Sequence, residues 1–184
     1  AKALATIRGT AVNQDGKTAS LTAPSGAAQQ QVISAALRAA GKQPSQVEVI
    51  ECHGTGTALG DPIEVAAIAA VYGSDTPLLG SCKSNFGHLE GAAGIVGLLA
   101  GVMCVTTVIP PTLHLDRLSP FIPAGSFRTE ALYPHKRCAG VSAFGFGGTN
   151  AHVVVSGIRG RPGARSSAPV FKRTQFAWWK MGDR

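Results

Sequence analysis

Strands that alternate with helices predict an α/β fold, a sheet with helices on its faces. Three observations carry this expectation. Runs rich in β-branched residues at Leu4–Val12, Val47–Cys52, Leu78–Cys82, Ala139–Phe144 and His152–Ser156 read as strands. Between them lie Ala27–Ala40, Asp61–Tyr72 and Ile95–Cys104, which carry helix composition or helix boundary signals. The glycine-rich segments fall at strand ends, where α/β folds place their chemistry.

Each element has a local reason. The first strand runs into the turn Asn13-Gln14-Asp15-Gly16. Pro24-Ser25-Gly26 opens the first helix, and Gly41 closes it as a left-handed cap. After Val47–Cys52 comes the loop His53–Thr57. Asp61 is expected to cap the second helix, with Pro62 at its first position and Glu64 in its first turn. A loop from Lys83 through His88 leads to a third helix, Ile95–Cys104, expected to be fully buried. Residues 105–136 are proline-rich and read as irregular. The last two strands flank a glycine turn. Residues 1–156 thus form one folded unit, and residues 157–184 read as a basic linker or tail rich in Gly, Ser and Pro.

Composition narrows the function. The 184 residues are 45% hydrophobic and include 23 glycines without a repeat, which suits a globular domain. Net charge is +7, but seven of the 17 Lys/Arg and one of the 10 Asp/Glu lie in residues 156–184. The body is nearly neutral, which argues against nucleic-acid binding. Cys52, Cys82, Cys104 and Cys138 have no paired spacing and sit in apolar contexts, as small buried hydrophobes in a reducing compartment do. No metal is expected, since no Cys/His cluster has ligand spacing. Gly91–Leu115 carries no Asp, Glu, Lys or Arg and is long enough to span a bilayer. Its glycine and alanine content and its end at Pro110-Pro111 favour a buried helix instead. With no secretory signal at its start, the chain reads as cytoplasmic.

Three segments carry candidate chemistry. The first is His53-Gly54-Thr55-Gly56-Thr57 with Gly60-Asp61-Pro62-Ile63-Glu64. The second is Lys83-Ser84-Asn85-Phe86-Gly87-His88, and the third is Phe144-Gly145-Phe146-Gly147-Gly148-Thr149-Asn150-Ala151-His152. Taken singly, each also fits a packing histidine or a packing turn. None matches a phosphate-binding loop or a serine-hydrolase elbow. Together, in this order, they resemble the β-ketoacyl synthase (ketosynthase) family. Val12-Asn13-Gln14-Asp15-Gly16 and Leu21-Thr22-Ala23-Pro24-Ser25-Gly26 resemble its polyketide-synthase branch. The resemblance covers about residues 5 to 156.

The resemblance implies the C-terminal half of a thiolase-like layered α/β fold, acting as an acyltransferase that joins carbon to carbon. A malonyl-type extender arrives on the phosphopantetheine arm of an acyl carrier protein and loses carbon dioxide. The resulting enolate attacks an enzyme-bound acyl thioester. No cofactor is bound directly. By resemblance, His53 and His88 donate hydrogen bonds to the extender's thioester oxygen, and Lys83 supports His88 and pairs with Glu64. Thr55 and Thr57 contact the phosphopantetheine arm. Phe146 gates the acyl pocket, and Asn150 ties its turn together. The family's nucleophilic cysteine motif has no match, so the chain is expected to be part of a longer, homodimeric enzyme and inactive alone. Its face toward the rest should be apolar. The alternative is a non-elongating module or docking piece that binds acyl chains or carrier protein. The stretch 169–179 resembles the basic-aromatic linker of such enzymes, with a disordered tail as the other reading.

Overall fold

In this computed structural model, which describes residues 3–18, 20, 22–123, 125–132 and 138–158, five strands build one mixed sheet. They are β1 (Ala5–Gln14), β2 (Val49–Glu51), β3 (Leu78–Gly80), β4 (Cys138–Phe144) and β5 (Thr149–Gly157). Their order across the sheet is β1-β5-β4-β2-β3. β1, β5 and β4 pair antiparallel, whereas β2 runs parallel to both β4 and β3. β1 and β5 run longer than their local sequence patterns suggest. Each extends the other: Asn13 pairs with Asn150 and Gln14 with Thr149, which carries β1 into the expected turn.

Both faces of the sheet are buried at its parallel strands β4, β2 and β3, whereas β1 is largely exposed. Neighbouring strand residues point to opposite sides. Ile50, Cys138 and Val154 enter one core, while Val49, Ala139 and Val155 enter the other. Helix α1 (Gly26–Ala40) and helix α2 (Gly60–Tyr72) fill the first core with Val32, Ile33, Ala36, Leu37, Val65 and Ile68. After a four-residue helix α3 (Lys83–Phe86), helix α4 (Ala93–Thr106) covers the second face through Cys104 and Val105.

The ends of α1 follow local chemistry. The Ser25 hydroxyl accepts the Ala28 N–H at 3.2 Å, and Gly41 takes φ 60° at the C-terminus. Gly9 lets α1 lie directly on β1. A Cβ there would overlap the backbone of Ala40, Ala36 and Ala39, atoms that cannot rotate away. Gly9→Ala is therefore expected to cost about 3 kcal/mol, at the upper end of overpacking penalties. The check is the urea midpoint of the variant, at unchanged slope.

Two expectations about helices need correction. Residues 83–92 are not simply a loop, because α3 and a 3₁₀ turn at Glu90–Ala92 shape them. α4 is not fully buried. Gly97, Ala100, Gly101, Cys104 and Val105 face the sheet, whereas Ile95, Leu99 and Met103 are 56%, 57% and 43% exposed. These three lie four residues apart and form one apolar stripe. Among the described residues, no helix is long and apolar enough to cross a membrane. Between α4 and β4, Ile109 bridges Leu132, and Phe127 bridges Leu79 of β3. The expectations for residues 159–184 lie outside the described residues.

Candidate active site

The first histidine loop leaves the end of β2 and returns into α2. Its amides are held by acids from that helix. Glu64, 3% exposed, accepts the His53 N–H at 2.7 Å and the Gly54 N–H at 2.9 Å. Asp61 accepts the Gly56 N–H at 3.1 Å, and the Thr57 hydroxyl accepts the Gly60 N–H at 3.0 Å. This corrects the expected cap. α2 starts at Gly60, so Asp61 lies inside its first turn and faces back to the loop. Gly54 has φ 49° and lies against the end of β3, where a Cβ would sit 2.7 Å from the Ser81 Cβ.

The second loop leaves β3 through Ser81 and Cys82, turns through α3, and reaches His88. The His88 Nδ1 accepts the Glu90 N–H at 3.1 Å, with Glu90 in the left-handed region at φ 47°. A neutral His88 therefore carries its proton on Nε2, which is left as a donor. The rings of His53 and His88 meet with centroids 5.8 Å apart and planes at 86°. The Phe144 ring lies 5.7 Å from that of His53, tilted at 53°. Burial pushes the His53 pKa down to about 4, and the charges of Lys83 and His88 push the same way. His53 is thus neutral at neutral pH.

Lys83 does not grip Glu64 directly, in contrast to the pairing implied by resemblance. The Glu64 carboxylate is occupied by the two loop amides, and Lys83 bears on it as a through-space charge. Burial pushes Glu64 up to about 7, against the pull of the Gly54 and His53 N–H groups. Thr55 and Thr57 line a cleft of about 630 Å³ together with Lys83, Ser84, Thr112 and Arg117.

The third segment forms the turn after β4. Phe146 projects from its tip, 80% exposed. Asn150 is buried, and its amide donates to Asp15 at 2.7 Å and to Asn13 at 3.2 Å. The Asp15 N–H donates to the Gly148 carbonyl at 2.8 Å, and the Gln14 amide donates to the Gly147 carbonyl at 3.3 Å. The Asn13–Asp15 segment is therefore a clamp on the Phe146 turn. Sequence reasoning gave it no role, although its motif was visible. The Phe144 contact with His53 and the buried Glu51 were also missed.

All four thiols are buried, and burial raises each pKa, Cys82 to about 12 and Cys104 to about 11. That disfavours the thiolate a nucleophile needs. Two converging imidazoles without an activated thiol form a site suited to stabilising an anion.

A sequence profile described as "Beta-ketoacyl synthase, C-terminal domain" matches residues 4–116. The chain is 48% identical over 186 residues to one subunit of the phenolphthiocerol/phthiocerol polyketide synthase of Mycobacterium tuberculosis (strain CDC 1551 / Oshkosh), which covers 92% of this chain and 10% of that protein. It is 44% identical over 180 residues to polyketide synthase GfsA of Streptomyces halstedii, covering 90% of this chain and 2% of that one. Among solved structures, the oxazolomycin ketosynthase domain OzmH KS7 of Streptomyces albus JA3453 superposes with a TM-score of 0.78 at 37% identity. That match covers 84% of this chain and 30% of the other. The ketosynthase from module 6 of the bacillaene synthase of Bacillus subtilis 168 gives 0.79 at 34% identity, over 85% and 31%. The chain belongs to the β-ketoacyl synthase family, as a C-terminal ketosynthase portion of the polyketide-synthase type with a thiolase-like fold. It spans a tenth or less of these two curated relatives.

Proposed function

We propose that this chain supplies the decarboxylation and condensation half of a ketosynthase site in polyketide biosynthesis. A malonyl-type thioester on the phosphopantetheine arm of an acyl carrier protein loses carbon dioxide. The electron pair of the breaking carbon–carbon bond becomes an enolate, with negative charge on the thioester oxygen. The enolate carbon attacks the carbonyl of an acyl chain held as a thioester on a cysteine elsewhere in the enzyme. The cysteine thiolate leaves, and the lengthened β-ketoacyl chain stays on the carrier protein.

The observation that carries this reading is the edge-to-face meeting of His53 with His88. Neutral imidazoles there donate to the developing oxyanion without giving up a full proton. Each such preorganised donor is worth about 3–4 kcal/mol in comparable sites. His88 offers Nε2–H because Glu90 occupies Nδ1. Burial and the nearby Lys83 charge keep the His53 ring neutral, and Glu64 holds its loop. Thr55 and Thr57 contact the phosphopantetheine arm along the cleft they line. Phe146 gates the acyl pocket from its exposed turn, which Asn150 ties to β1. The exposed stripe Ile95, Leu99 and Met103 packs against the rest of the homodimeric domain.

The test uses the full polypeptide that contains this segment, incubated with malonyl- and methylmalonyl-loaded carrier protein. Mass spectrometry reads loss of carbon dioxide and chain transfer. Decarboxylation that depends on both histidines supports the reading. Acyl transfer to the carrier protein without any decarboxylation would replace it with the non-elongating alternative.

A further inference from the structure

Glu51 ends β2, two residues before His53, and is 1% exposed. Its Oε1 accepts the Cys82 N–H at 2.6 Å. Cys82 immediately precedes α3 and so begins the segment that carries Lys83 and His88. One buried carboxylate thus joins the two loops whose imidazoles meet. The ladder between β2 and β3 stops at the pair Glu51–Gly80, followed by a single bond from the Cys52 N–H to the Gly80 carbonyl. Past that point, the longer bond from the Ser81 hydroxyl to the Gly54 carbonyl at 3.3 Å is the other hydrogen bond between the loops among the described residues.

A buried carboxylate needs compensation. Arg128 supplies opposite charge on the same face of the sheet. It is 6% exposed, and its guanidinium covers Gly80, the ladder neighbour of Glu51, so closely that a Cβ on Gly80 would overlap it. Its Nε donates to the Leu79 carbonyl at 3.3 Å. Glu51 Oε2 and Arg128 Nη1 are both buried without partners. Burial pushes the Glu51 carboxyl up, and the Cys82 N–H, the Lys83 charge and then the Arg128 charge pull it back; Glu51 and Arg128 are coupled by charge rather than by a shared bond. A short N–H bond to an ionised carboxylate is stronger than one to a neutral acid.

We propose that Glu51, balanced by Arg128, is a positioning residue that fixes the Lys83–His88 segment relative to His53. This rests on the condensation reading for its catalytic consequence, but not for its structural one. In the full polypeptide, Glu51→Ala is expected to speed amide exchange over residues 82–88 at least tenfold, with residues 139–155 unchanged. Decarboxylation is expected to fall about 10²-fold, the effect of roughly an ångström of misplacement. Acylation of the cysteine should change less than about twofold, because neither histidine is asked to act in it.

Glu51→Gln keeps the acceptor oxygen and should retain protection over residues 82–88. Arg128→Met removes one of the two cations that bear on Glu51 and should lower protection there part of the way. Combining the two removes both charges and should restore it. If Glu51→Ala does not fold, this pair of variants decides the matter. Unchanged exchange at 82–88, or equal acceleration throughout the sheet, overturns the proposal. Absence of decarboxylation in the wild type would sink the condensation reading alone, since the exchange pattern still tests the positioning.

Discussion

His53→Ala and His88→Ala are each expected to lower decarboxylation by about 10² to 10³-fold, with acylation of the cysteine changed less than about threefold. The magnitude is that of removing one preorganised donor from an oxyanion. The selectivity follows from the timing of charge. In the proposed reaction the enolate oxygen exists only after carbon dioxide leaves, so these donors would bind the transition state more tightly than the substrate. The two rings stand 5.8 Å apart, edge to face, and in the proposed reaction they act on one oxygen as a unit. The double variant should therefore be about as slow as the slower single variant, not slower by the product. Gln at position 88 puts an amide N–H near the lost Nε2–H and should recover part of the rate, whereas Asn, which reaches only to the level of Nδ1, should not. Equal loss of both half-reactions in the alanine variants would show a collapsed loop and would remove the oxyanion role.

What could be read from the sequence was what local chemistry controls. Ser25 and Gly41 bound α1 because a hydroxyl cap and a left-handed glycine act within a few residues. Asp61 was misplaced for a related reason. Asp before Pro looks like a cap, but the loop amide of Gly56 competes for the carboxylate, and α2 begins one residue earlier. α3 is too short to show a helical period. The exposed stripe of α4 was hidden because all of that helix is apolar, so composition could not say which face meets the sheet. Asp15 and Glu51 are harder still. Their roles come from partners 135 and 31 residues away, set by the β1–β5 register and by the parting of β2 and β3. The motifs located the histidines, but pairing across the sheet decides what holds them.

Glu64→Ala is expected to cost about 2–3 kcal/mol of stability, because it strands two loop N–H groups, and to slow decarboxylation about 10²-fold by freeing His53. pH separates the charge of Glu64 from its packing. Burial pushes its carboxyl up from 4.5 to about 7 in the fold. Between these values the folded state holds the extra proton, so this group makes stability fall as pH rises, by about 3 kcal/mol in all. His152 does the reverse. Its ring is buried beside the Ser142 hydroxyl, and burial lowers its pKa from 6.5 to about 4. Over that window the unfolded state holds the extra proton, and stability rises with pH by a similar amount. The half-buried His53 adds to that rise. The Glu64 fall therefore offsets only part of the histidine rise in the wild type. Glu64→Gln should steepen the climb of the urea midpoint from pH 4 to 6.5. His152→Asn should flatten it. In catalysis the ionised carboxylate is the form that accepts both amides, so wild-type decarboxylation should fade below about pH 7. His53, neutral down to about pH 4, cannot cause that fading. The Gln variant should be slower but flat across the same range. An acid limb that persists in Glu64→Gln would belong to another group, and Glu64 would then be a packing residue rather than the holder of the His53 loop.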